Sequence, residues 1–170
     1  MSSQIDYRYS TTFPAAALYG ALVDEEYLRA KLAELGGREA TIVSHRADAD
    51  GAQFMLRHEL DVEGLPSAVA GLLAGRLVLE RTENWAVTPV ERSGTVEVRV
   101  IGAPVPATAT GRLGVADLAG SGSEYQLRVD VSVSLPLFGA RIEEIVAEKV
   151  RELLELEARF TTRWLEQKAA

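Results

Sequence analysis

The chain of 170 residues has no cysteine, two histidines, two tryptophans and, among its 18 basic residues, three lysines. The missing cysteine excludes thiolate nucleophiles, thiolate metal sites and disulfide bonds together, and it fits a reducing compartment. His45 and His58 are the two imidazoles, and no Asp or Glu stands at metal-ligand spacing to them, so no metal is expected. No stretch approaches the roughly 20 apolar residues of a membrane span. Met1-Ser2-Ser3-Gln4 lacks the basic start and apolar run of a secretory signal, so no integral membrane segment and a cytoplasmic location are expected. Against the 18 basic residues stand 25 acidic ones, and the net charge of −7 is spread along the chain. Nucleic acid and anionic membranes reward clustered Lys and Arg, so neither is an expected partner. A nucleophile elbow is absent, and the glycines of Gly111-Arg112-Leu113-Gly114 and Gly120-Ser121-Gly122 do not make a phosphate loop, so no cofactor is expected.

What is present is an ordinary folding composition, 47% apolar and 25% charged, without repeats, low-complexity tracts or a long linker. One domain over residues 1–170 is expected, because a chain of this length can bury most of its apolar surface in one core. Ile5, Tyr7 and Tyr9 alternate with Asp6, Arg8 and Ser10 in a first strand over 4–11. Phe13-Pro14 then opens a helix to about Leu22. Asp24 can cap a second helix with Glu25 and Glu26 in its first turn and Gly36-Gly37 at its end.

Runs 38–47 and 52–62, joined by Asp48-Ala49-Asp50-Gly51, read as a hairpin. The small apolar segment 65–74 reads as a short helix or ordered loop. Strands follow over 76–88, 94–101 and 107–117, with turns at 89–93 and at Gly102-Ala103-Pro104-Val105-Pro106. A final strand alternates Tyr125, Leu127, Val129, Val131, Val133 and Leu135 with polar residues. Pro136 stops it, and residues 138–167 read as one helix about 40 Å long. Its apolar sector is expected to hold Phe138, Ile142, Ile145, Val146, Leu153, Leu156, Phe160 and Trp164, with Glu143, Glu144, Glu148 and Arg151 on the solvent side.

This is the pattern of an α+β fold: a curved antiparallel sheet of about seven strands wrapped round a long C-terminal helix, with two short helices after the first strand. Seven strands spaced near 4.8 Å span over 30 Å, whereas one helix is about 10 Å across. The sheet must curl, or leave apolar area uncovered between itself and the helix. Ala107, Ala109, Gly111 and Gly114 are small residues in a strand, which suits either spare volume beside them or strong bending of the sheet.

The strand Ile5-Asp6-Tyr7-Arg8-Tyr9 running into Phe13-Pro14-Ala15, with the closing strand and helix from Tyr125 to Trp164, resembles the START-like, polyketide-cyclase and birch-pollen-allergen-like (SRPBCC) superfamily, and the opening stretch is similar to an uncharacterised bacterial branch of it. The resemblance covers nearly all of the chain and implies the helix-grip fold. It also implies an apolar or amphipathic small-molecule ligand, such as a lipid, isoprenoid or polyketide. The inserted segment 65–74 departs from the simplest members. Fold alone does not choose a function.

The candidate ligand-binding residues are Phe54, Leu56 and His58 on one strand face, Arg81 and Trp85 on the next, Val98, Leu113, Leu127 and Val129 on the later strands, and Ile145, Lys149 and Leu153 on the long helix. No residue is assigned as catalytic. Lys149 reads either as a cationic anchor for a ligand carboxylate or as a side chain that snorkels or pairs with a strand carboxylate such as Glu83. His58 reads as a hydrogen-bonded core residue or a proton-transfer group. Arg81, Glu83 and Trp85 share a period-two face with Leu77 and Leu79, so they point inward unless a bulge shifts the register. Three functions compete: binding of an apolar guest, a cyclase or aromatase-type enzyme, and a protein-interaction module or homodimer that needs no cavity.

Overall fold

The structure is a computed structural model that describes residues 3–60, 62–73, 76–102, 104 and 106–170. Ala74 of the segment 65–74 and Ala103 and Val105 of the turn 102–106 lie outside the described residues. In chain order the elements are β1 (Ser3–Thr11), α1 (Ala15–Leu22), α2 (Glu25–Leu35), β2 (Thr41–Asp48), β3 (Gly51–Leu60), α3 (Ser67–Leu72), β4 (Leu77–Val87), β5 (Arg92–Ile101), β6 (Ala107–Asp117), β7 (Ser123–Val133) and α4 (Gly139–Ala169). The expected α+β architecture is borne out, and the segment 65–74 supplies a short helix.

The sheet runs β1-β7-β6-β5-β4-β3-β2, with every neighbouring pair antiparallel. β1 therefore pairs with the last strand. The chain leaves that edge through α1 and α2, reaches the opposite edge at β2, and returns by a meander. This route lays α1 and α2 against α4, while α4 itself packs on β1 and β7. Local signals hold the short helices in place. The Asp24 carboxylate accepts the Tyr27 backbone N–H at 3.0 Å as an N-cap, and Gly36 closes α2.

β7 buries Tyr125, Leu127, Val129, Val131 and Val133 in strict alternation. It ends at Val133, two residues before the expected Leu135, and the Glu143 carboxylate of α4 accepts the Val133 N–H at 2.9 Å. Glu143 is 3% exposed, so its expected place on the solvent face is overturned.

That correction belongs to a larger one. On α4 the buried residues are Ile142, Glu143, Ala147, Leu154, Phe160, Thr161 and Leu165, whereas Phe138 and Leu156 are exposed. At about 100° per residue the buried sector is rotated by roughly 100°, about one residue step, from the one fitted to the largest apolar side chains. The reason is that α4 is covered on two flanks, by the sheet and by α1 and α2. Small and polar residues such as Ala147 and Thr161 fit beside Leu154 and Leu165 where helices and sheet approach closely, while Leu156 is left at the rim.

Two apolar clusters result. One joins Ile5, Leu18, Tyr27, Leu28, Phe54, Leu56, Trp85 and the middle of β7. The other joins Leu60, Val69 and Leu73 with Leu77, Leu79, Val133 and Ile142, beneath α3. Among the described residues no helix is long and apolar enough to cross a membrane.

Candidate functional site

Between β4 to β7 and the first half of α4, beside the second cluster, lies a cavity of about 90 Å³. Its walls are Leu77 and Leu79 from β4, Val96, Val98 and Val100 from β5, Ala107 and Ala109 from β6, and Leu127, Val129, Val131 and Val133 from β7. Ile142, Val146, Val150, Leu153 and Leu154 of α4 face them, and Leu65, Val69 and Leu73 roof one side. Alternation along the strands supplies the apolar wall, and α4 spans it because the helix runs the length of β7.

The small residues of β6 have separate roles. Ala107 and Ala109 line the cavity, where longer side chains would fill it. Gly111 serves the sheet itself, since a Cβ there would lie 1.9 Å from the Arg128 carbonyl oxygen on β7, a backbone approach that a side chain would obstruct.

One end of the cavity is polar. β4 pairs with β3 and β5 in continuous register through Arg81, Glu83 and Trp85, so no bulge intervenes and all three point inward. Arg81 donates from Nε to Glu83 Oε1 at 2.7 Å, and from one terminal nitrogen to both Glu157 oxygens at 3.1 and 3.2 Å. The other oxygen of Glu83 accepts the Trp85 indole N–H at 2.8 Å. Lys31 of α2 is 6% exposed, and its ammonium lies 3.6 Å from Glu157. Thr161 donates to the Glu157 carbonyl at 2.7 Å, so the Tyr27 hydroxyl, 2.7 Å from the Thr161 oxygen, must be the donor to it. Two cations and two carboxylates from three elements, α2, β4 and α4, thus balance one another, which is how buried charge becomes tolerable.

His58 sits beside this network on β3 and is 5% exposed. Its Nε2 has no hydrogen-bond partner among the described residues. Burial, with the Arg81 and Lys31 charges adding to it, drives the imidazole down to about 4 against opposing effects of Glu157 and the Glu59 backbone, so the ring is neutral at neutral pH. Burial would raise the Glu157 carboxyl, yet Arg81, Lys31 and His58 outweigh it and hold the group at about 2. Burial lowers Lys31 and raises Tyr9, Tyr27 and Tyr125.

The candidate residues read from the sequence fall into groups. His58, Arg81, Val98, Leu127, Val129 and Leu153 line the cavity. Phe54 and Trp85 stand on the far side of the ion network, around a crevice with Tyr9, Tyr27 and Tyr125. Leu56 contacts a small void behind His58, and Leu113 is packed in the main core. Ile145 and Lys149 are not among the lining residues; the Lys149 ammonium lies 3.6 Å from Glu152 on its own helix.

Sequence reasoning missed Lys31 and Glu157, although both carried a signal. Lys31 lies four residues after Tyr27 and three after Leu28, within the apolar stripe of α2. Glu157 lies four after Leu153 and three before Phe160. Among the described residues no cluster of three His, Cys, Asp or Glu side chains is placed to hold a metal ion.

The sequence matches the family model described as "Protein of unknown function (DUF2505)" over residues 6–165. Uncharacterized protein Rv0481c of Mycobacterium tuberculosis (strain H37Rv) is 28% identical over 156 residues, which cover 87% of this chain and 88% of that protein. A solved START superfamily protein from Mycobacterium smegmatis is similar with a TM-score of 0.55 at 15% identity, covering 96% of this chain and 97% of that one. The Zhui aromatase/cyclase from Streptomyces sp. R1128 gives 0.56 at 14% identity, covering 99% and 94%. At these identities the likeness is one of fold, and it bears out the START-like, cyclase-like resemblance read from the sequence.

Proposed function

The chain belongs to the DUF2505 family, described as of unknown function, and from its own geometry we propose that it holds a small apolar or amphipathic molecule between its sheet and its C-terminal helix. The observation that carries this reading is the cavity itself, with aliphatic walls from β4 to β7, α3 and α4 and with His58, Arg81, Arg99 and Thr108 as the polar residues of its lining. Such a hollow costs a domain stability on the order of 2 kcal/mol at about 24 cal/mol per Å³. In a fold with only ~5–15 kcal/mol in hand, a guest offsets that loss.

The volume also bounds the guest. At roughly 10–15 Å³ per water-sized sphere the cavity takes a molecule on the order of ten heavy atoms, closer to one substituted ring than to a long acyl chain. Calorimetric titration with toluene, ethylbenzene, propylbenzene and longer homologues is expected to give affinities rising about fourfold per methylene, then collapsing once the cavity is full. Ala109→Phe is expected to abolish this binding without lowering the unfolding midpoint. Affinity that grows without limit along the series, or no saturable binding by any homologue, refutes the reading.

A second reading, a cyclase-type enzyme, is favoured by one feature, the neutral His58 at the inner end of the cavity. A neutral imidazole there can accept a proton from a bound substrate. Loss of turnover in His58→Gln with ligand binding retained is the result that supports it.

A further inference from the structure

The polar groups at the inner end of the cavity differ in what they have left to offer a guest. Arg81 is committed to Glu83 and to both oxygens of Glu157, and Lys31 pairs with Glu157, so cations and carboxylates are already matched. A guest carboxylate would enter as a third buried anion against two cations, and a guest ammonium would face Arg81. Both are costly between mostly apolar walls. His58 is different. It is 5% exposed and lines the cavity, and its Nε2 has no partner among the described residues.

The proton position on that ring follows from its other contact. Nδ1, unlike Nε2, is not among the buried polar atoms left without a partner, and the influence of the Glu59 backbone favours the protonated ring, as a carbonyl accepting from it would. Nε2 makes no such bond, which leaves Nδ1–H as the donor. The neutral ring therefore presents an Nε2 lone pair, an acceptor in want of a donor.

We infer that His58 Nε2 is the anchor for a single hydroxyl, phenolic or alcoholic, on an otherwise apolar and uncharged guest, so that the site selects neutral hydroxylated ligands over both hydrocarbons and carboxylates. This rests on the cavity being a ligand site and adds the chemical class of the ligand. A hydroxyl donates one hydrogen bond and adds no charge, and it satisfies the buried acceptor that His58 Nε2 leaves open among the described residues.

Toluene, p-cresol and 4-methylbenzoate share one ring body and differ in the group offered to His58. Titrated into the full chain, 4-methylbenzoate is expected to bind at least tenfold more weakly than p-cresol. In His58→Leu, p-cresol is expected to lose about tenfold in affinity, because its hydroxyl is then buried without a partner, while toluene binds as well as or better than before. Should that variant fail to fold, ¹⁵N spectra of the histidine-labelled wild type decide alone: p-cresol moves the Nε2 resonance upfield, as a lone pair accepting a hydrogen bond requires, and toluene leaves it near its free position. If p-cresol and toluene weaken equally in the variant, or p-cresol leaves Nε2 unmoved, the anchor is overturned and the cavity reading stands. If toluene and p-cresol both fail to bind the wild type, the cavity reading falls and the anchor falls with it.

Discussion

Arg81→Met is expected to lower the unfolding free energy by about 3–5 kcal/mol, the largest effect of any single substitution at this site. Glu83 and Glu157 both direct oxygens at the one guanidinium, and both are largely buried. Without Arg81, Glu157 keeps only Lys31, 3.6 Å away, and Glu83 keeps only the Trp85 indole N–H. The loss comes less from the missing attraction than from two carboxylates left in a medium that solvates them poorly. Arg81→Met combined with Glu83→Gln and Glu157→Gln is therefore expected to recover much of the deficit, since the stranded charges go as well. Urea unfolding of the four proteins checks this. A loss under 1 kcal/mol in Arg81→Met would place the network in the same class as an exposed ion pair and contradict its burial.

The second large effect is in acid. His58 is held at about 4 in the folded chain against 6.5 for an ordinary imidazole, so the unfolded state takes up a proton first as pH falls. Stability is then complete above about 6.5 and declines toward 4, by on the order of 3 kcal/mol at about 1.4 kcal/mol per pH unit. Glu157, held at about 2 against 4.5, behaves in the same sense one step lower. Its contribution is present above 4.5 and is lost between there and about 2. Asp6 and Glu80, lowered chiefly by hydrogen bonds from Arg128 and Arg99, add to that lower limb. The wild type is expected to lose stability in two stages, and His58→Leu to lack the upper one while keeping the lower. Chemical unfolding at pH 7, 5.5, 4.5 and 3 reads both stages. Equal stability of the wild type at pH 7 and 4.5 would contradict the buried, neutral imidazole.

Much of the architecture was legible because backbone periodicity encodes it. β7 could be read from Tyr125, Leu127, Val129, Val131 and Val133, α2 from Asp24 and Gly36, and the edge hairpin from Asp48 to Gly51, since each signal is local. The site was less legible, because it depends on which elements meet. Arg81, Glu83 and Trp85 read equally well as inward-facing or bulged, and only the continuous pairing of β4 with both neighbours decides it. The phase of α4 was misread because size was taken as the mark of burial. A helix covered on two sides buries Ala147 and Thr161 and leaves Leu156 at the rim. The same rotation moves attention from Lys149 to Glu157, and so to its partners Arg81 and Lys31. Cavity volume leaves no periodic trace at all. Ala107 and Ala109 hinted at it, but the space exists only once β6 faces α4.

Crystals held under xenon pressure offer the most direct test, because xenon enters hollows that are dry, apolar and reachable, and nothing else about the protein need be known. Xenon is expected to occupy the space between Val129 and Val131 of β7 and Ile142 and Val146 of α4, with the surrounding side chains undisplaced. Side chains packed through that space, or ordered water filling it, would contradict the claim that this fold keeps room for a guest.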